Sequence, residues 1–209
     1  MRTIAFDFDC PFSEEAYKPL FEQLEQLDDV SVLVNNVGAN YATKEDYCAN
    51  SEENLMSTVH VNVNPATFLT WFFLPRMLKR DTKSAVVSVS AYGPNVFVQS
   101  VFGASKLLFH PDFLGKQYVW SLSDNCGFLH GKKVDFVTVF PGFTESASMR
   151  AKDLGIDADD HAKACIATWG HDRESYGHWV HALVSSFSFR NNFIKWTLNE
   201  HNKDIGTQV

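Results

Sequence analysis

The 209-residue chain has four cysteines, and Cys10, Cys48, Cys126 and Cys165 form neither a Cys-x-x-Cys pair nor any other metal-binding spacing. That excludes a zinc ribbon and a disulfide scaffold, and leaves buried free thiols in a reducing setting as the expectation. Positive charge is also short: 18 Lys and Arg stand against 25 Asp and Glu, giving a formal charge of −7 with no basic run. Nucleic acid and anionic membrane surfaces are therefore not expected partners. No run of about 18 apolar residues occurs, and Met1 to Asp7 lacks a signal-peptide core, so the chain by itself reads as soluble and cytoplasmic. Repeats, low-complexity tracts and linkers are missing too, and the expectation is one domain over 1–209.

What is present is hydrophobic periodicity. Thr3 to Phe8 alternates as a short strand, and Ser13 is placed to cap a helix whose face is Tyr17, Leu20, Phe21, Leu24 and Leu27, with Pro19 as a kink or late start. Val30 to Val34 reads as a second strand, ending in Asn35-Asn36-Val37-Gly38. Leu55 to Leu78 reads as one long helix distorted at Pro65 and Pro75, followed by strands at Ala85 to Val89 and Val134 to Phe140, the latter closed by Pro141-Gly142. Strands alternating with helices at these intervals indicate an α/β fold with a parallel sheet.

The chemistry-bearing stretch is Val86 to Lys106, an apolar β-like run, a Gly-Pro turn, and Phe102-Gly103-Ala104-Ser105-Lys106. With Asn35-Asn36-Val37-Gly38 and Pro141-Gly142-Phe143-Thr144-Glu145-Ser146, it resembles the short-chain dehydrogenase/reductase family. Ala164 to Gly170 and Ser175 to Leu183 are similar to the very-long-chain 3-oxoacyl-CoA reductases and their 17β-hydroxysteroid dehydrogenase relatives.

The resemblance implies a Rossmann-like, doubly wound parallel sheet, here incomplete because Met1 already stands at the family's third strand and the first two βα units have no counterpart. It implies NADPH as cofactor, an acyl-CoA or steroid-like ketone as substrate, and an endoplasmic reticulum setting. It assigns Asp7, Asn35, Asn36, Gly38, Pro141, Gly142 and Ser146 to the cofactor. Asp7 is equally well explained as a turn cap. Lys106 would bond the nicotinamide ribose and lower the acid's pKa, Asn62 would hold a relay water, and Ser90 would polarise the carbonyl.

The chain also departs from the family's pattern. Phe102 stands where the family has its proton-donating tyrosine, a loss of about 10²–10⁴-fold in rate. The glycine-rich Thr-Gly-x-x-x-Gly-x-Gly loop is not in the sequence. A gapless count from Phe102 puts Val89 at the serine position, and a one-residue slip restores Ser90; Tyr92 is a weak substitute acid. Pro111 and Gly115 should end the helix near Phe109, within the family's dimer-forming helix. His178 and His181, at i and i+3, have no third metal ligand nearby in sequence. Two readings stand: a reductase impaired in catalysis, or a non-catalytic relative acting through a partner chain. For the second, Thr3 to Phe8 moves beside Val30 to Val34, or another chain covers that edge in a homo- or hetero-oligomer.

Overall fold

A computed structural model describes residues 2–41, 47–91, 105–106, 133–142, 144, 156–171 and 174–183. Its elements are α1 (Glu14–Leu24), β1 (Val32–Asn35), α2 (Glu52–Asn62), α3 (Asn64–Leu78), β2 (Ser84–Val89), β3 (Val134–Val139), α4 (Ala158–Thr168) and β4 (Glu174–Ser175). The four strands form one parallel sheet in the order β1-β2-β3-β4. The expected α/β class with a parallel sheet holds.

Helix α1 starts where the sequence says: the Ser13 hydroxyl accepts from Ala16 N at 3.2 Å, and Glu14 and Glu15 stand in the first turn, where the helix dipole favours carboxylates. Pro19 lies inside it without ending it. The long helix expected from Leu55 to Leu78 is instead two. Helix α2 closes at Asn62 and α3 opens at Asn64, with Pro65 in its first turn. Proline has no N–H to give to the carbonyl four residues back, so it ends one helix but is tolerated at the start of the next. That break puts Asn62 at a helix end, where its side chain can reach a neighbouring loop.

Strands β2 and β3 are buried along both faces, as strands covered by helices on both sides should be. On one face Leu33, Val86, Val134 and Phe136 meet Tyr17, Phe72, Phe73 and Met77 from α1 and α3. On the other, Val87, Val137 and Val139 meet Cys165 and Trp169 of the α4 region. Tyr17 is fully buried, with its ring 4.4 Å from Phe68 and 5.9 Å from Phe21, centroid to centroid. Tyr17→Ala is expected to cost about 3–5 kcal/mol in urea unfolding, because a large aromatic leaves a cavity that its ring neighbours cannot close.

Two strand expectations need correction. Thr3 to Phe8 carries no regular secondary structure; Ile4, Phe6 and Phe8 are half-buried against the core, but the segment joins no ladder among the described residues and does not pair with β1. Alternation places side chains, but a strand also needs a neighbour for its backbone groups. The edge strand is Val32–Asn35 rather than Val30 to Val34, and within the described sheet it pairs with β2 alone. Its inward residues Leu33 and Asn35 are buried, while Val32 and Val34 are 40% and 46% exposed. The thiol expectation holds only in part: Cys165 is buried, Cys10 half-buried and Cys48 exposed, and none of the three is in a disulfide. Cys126, Tyr92, Phe102, Ser146 and the segment 110–117 lie outside the described residues.

Candidate functional site

The C-terminal ends of β1, β2 and β3 bring most of the sequence candidates together. Asn62, at the end of α2, is 2% exposed and fully engaged: its Oδ1 accepts from Ala39 N at 2.8 Å, and its Nδ2 donates to Ala39 O at 2.9 Å and to Ser105 Oγ at 3.0 Å. It therefore clamps the loop after β1 to the short helical piece Ser105-Lys106. The expected water-holding role falls to an amide whose side chain is already a structural brace.

Lys106 is 6% exposed, and its Nζ donates to Val37 O at 3.3 Å. Burial lowers its pKa from 10.5 to about 8. The ammonium lies so close to Gly38 that a Cβ there would overlap it, so a larger residue at that position would push the lysine head aside. Asn35 is buried and donates from Nδ2 to Thr70 Oγ1 at 3.1 Å, while its Oδ1 has no partner among the described residues. Asn36 is exposed at the mouth of both cavities described below.

Ser90 is where a carbonyl-polarising serine was expected, but it is 3% exposed and its Oγ donates to the Lys106 carbonyl at 2.7 Å. A hydroxyl has one proton to give, and this one is committed to backbone. The following residue, Ala91, has no hydroxyl. Asp7 is exposed and its Oδ1 accepts from Asp9 N at 2.9 Å, the turn-capping geometry.

On the α4 face of the sheet a cavity of about 500 Å³ runs from Asn36 and Val89 past Pro141 to Trp169. Thr144 and Trp169 line it, and Thr144 Oγ1 and Trp169 Nε1 are buried without a hydrogen-bond partner among the described residues. Thr144 lies two residues past Gly142, so of the hydroxyls following the Pro-Gly turn it is the one that the described structure sets on the cavity. Gly142 is held against His181: a Cβ there would stand 2.7 Å from His181 Cδ2.

Sequence reading stopped at His178 and His181; the fold adds His161 and Cys165. The His161 and His181 rings are 5.0 Å apart, His178 and His181 6.5 Å, and Cys165 Sγ is 3.6 Å from His161 Nδ1. The spacing of His161 and Cys165, one helical turn apart, was a visible signal for half of this cluster. Burial first, then the neighbouring imidazoles, lowers the pKa of His161, and burial pushes the Cys165 thiol up to about 11. Cys165 is thus a thiol rather than a nucleophilic thiolate. Among the described residues no group of His, Cys, Asp or Glu is arranged to hold a metal ion.

Comparison with known proteins agrees with this geometry. The sequence model of the short chain dehydrogenase family matches residues 1–155. Mouse "Inactive hydroxysteroid dehydrogenase-like protein 1" is 25% identical over 193 residues, covering 90% of this chain and 56% of that protein. Rat "Estradiol 17-beta-dehydrogenase 11" is 36% identical over 91 residues, 44% of this chain and 30% of that one. Among solved structures, a short-chain dehydrogenase from Streptomyces avermitilis superposes with a TM-score of 0.64 at 17% identity, covering 99% of this chain and 80% of its own. A Sphingobium yanoikuyae short-chain dehydrogenase in complex with NADPH gives a TM-score of 0.58 at 14% identity, covering 98% and 74%. These two show the shared fold. The chain spans about half the length of the inactive hydroxysteroid dehydrogenase-like proteins it matches. With the family model covering most of its residues and the parallel sheet in place, this chain belongs to the short-chain dehydrogenase family.

Proposed function

We propose that this chain keeps the framework of a reductase while carbonyl reduction by it is impaired. Its ancestral chemistry is hydride transfer from NADPH to a 3-oxoacyl-CoA or a steroid ketone of lipid metabolism, in an endoplasmic reticulum setting. The observation that carries the reading is the Ser90 hydroxyl, whose proton goes to the Lys106 carbonyl. Phe102, which has no proton to give, stands at the family's acid position in the sequence. The relatives named inactive hydroxysteroid dehydrogenase-like protein 1 support it.

A nicotinamide fits the residues present better than the reaction does. Thr144 Oγ1 in the larger cavity would hold its carboxamide, and Lys106 Nζ, released from Val37 O, its ribose. When bound, the cofactor would supply hydride; the described residues would orient it, and the Ser90 hydroxyl, the described candidate for bonding the product's oxygen, is committed to the Lys106 carbonyl.

The test is turnover of a 3-oxoacyl-CoA and of a 17-ketosteroid with NADPH, followed by absorbance. We expect no rate above background for the wild-type chain, and a gain well short of about 10²-fold in Phe102→Tyr, because a restored acid still faces a committed Ser90. Steady turnover by the wild type sinks the reading. A second reading has its own observation: among the described residues β1 pairs with β2 alone, and Val32 and Val34 are exposed. Here the chain works as a non-catalytic subunit whose β1 edge receives a strand from another copy or a longer relative. Cross-linking from a cysteine placed at Val32 that returns only monomer removes it.

A further inference from the structure

The smaller cavity, about 180 Å³, combines groups that ordinary packing does not call for. Phe8, Pro65, Leu69 and Val89 give it an apolar wall, and Lys106 lies on it. Among the described residues the Lys106 amine has one recorded acceptor, the Val37 carbonyl at 3.3 Å, and no carboxylate pairs with it. Asn35, on the same cavity and 8% exposed, leaves its Oδ1 without a donor. A buried acceptor left unpaired is destabilising, so a partner supplied by a ligand would be favourable there.

We propose that Lys106 is a covalent attachment point for a carbonyl compound, a medium-sized apolar aldehyde carrying a hydroxyl group that donates to Asn35 Oδ1. The neutral amine adds to the carbonyl carbon, forming the C–N bond as the carbonyl π pair moves to oxygen. That oxygen takes a proton released by nitrogen. The resulting hydroxyl leaves as water with the second amine proton, and C=N is formed. No oxidant or reductant is consumed. The burial that lowers the lysine's pKa to about 8 supplies the reactive form: at pH 7 roughly one amine in ten is neutral, on the order of 300-fold more than for a solvated lysine. Asn62 braces the loop against which the amine rests, so the nucleophile is held rather than free to swing. The inference goes beyond the impaired-reductase reading and does not rest on it, since imine formation needs neither a hydride nor an acid at position 102.

The test pairs 4-(hydroxymethyl)benzaldehyde with 4-methylbenzaldehyde, each at limiting concentration with cyanoborohydride to trap the imine, followed by peptide mapping across pH 6 to 10. We expect Lys106 to carry most of the adduct at pH 7, with a rate at least tenfold above that of any other lysine and a half-maximum near pH 8. The hydroxymethyl compound should react at least tenfold faster than its methyl counterpart, and Asn35→Ala should erase that preference. Lys106→Arg keeps the charge and should remove the selective adduct; its fold is checked by circular dichroism. If that variant does not fold, the wild-type map alone decides. Adducts spread over the lysines according to exposure, or equal rates for the two aldehydes at Lys106, would overturn the proposal.

Discussion

Lys106→Met is expected to stabilise the folded chain relative to wild type at neutral pH, and the gain should fade as pH rises. The folded-state pKa of about 8 lies below the ordinary 10.5, so between those values the unfolded chain still holds a proton that the folded chain has released. Stability therefore rises with pH through that window. Below pH 8 both states are charged and the whole burial cost, about 3 kcal/mol from the shift, weighs on the folded state. Methionine carries no such cost, and the difference between the two proteins should shrink by about 2–3 kcal/mol from pH 7 to pH 10 in urea unfolding. Burial also raises the pKa of Cys165 to about 11 and raises that of Tyr17, which lowers stability above about pH 9. Both groups are present in both proteins, so they cancel in the difference. A difference that stays flat from pH 7 to pH 10 would show that the ammonium is solvated in the folded state.

Asn62→Ala should be the most damaging single change among the polar residues. It removes both hydrogen bonds to Ala39 and the one donated to Ser105 Oγ, so the backbone groups of a half-buried loop lose their side-chain partner. We expect a loss of about 2–4 kcal/mol. The clamp also keeps the loop of Val37 and Gly38 over Lys106, so the variant should lose part of the alkaline stabilisation as well. A double-mutant cycle between Asn62 and Lys106 should give a coupling of about 0.5–3 kcal/mol, and strict additivity would refute the clamp.

The strand and helix order was legible because β2 and β3 are rich in valine and bounded by polar turns, and Ser13 sits one residue before its helix. The split at Pro65 was not, because the apolar period continues across it and only the missing N–H distinguishes one helix from two. Thr3 to Phe8 misled for the opposite reason: its alternation is real and buries Phe6 and Phe8, but pairing depends on a neighbour that no local pattern reports. At the site, the meeting of Asn62, Gly38, Ser90 and Lys106 followed from motif order. What each group spends its hydrogen bonds on did not. The Ser90 proton given to Lys106 O is a contact sixteen residues apart, decided by how the short helical piece seats on the strand end. The joining of His161 to His181 across Gly142 and Gly177 needs two close approaches that spacing alone does not encode.

The outer border of β1 also governs how the protein behaves when concentrated. Two exposed valines on a strand whose outer side meets no other strand among the described residues are a template for stacking copies edge to edge, so turbidity should grow with concentration faster than a net charge of −7 would suggest. A single lysine at Val32 would act as a gatekeeper there, improving colloidal behaviour while leaving the Lys106 cavity untouched.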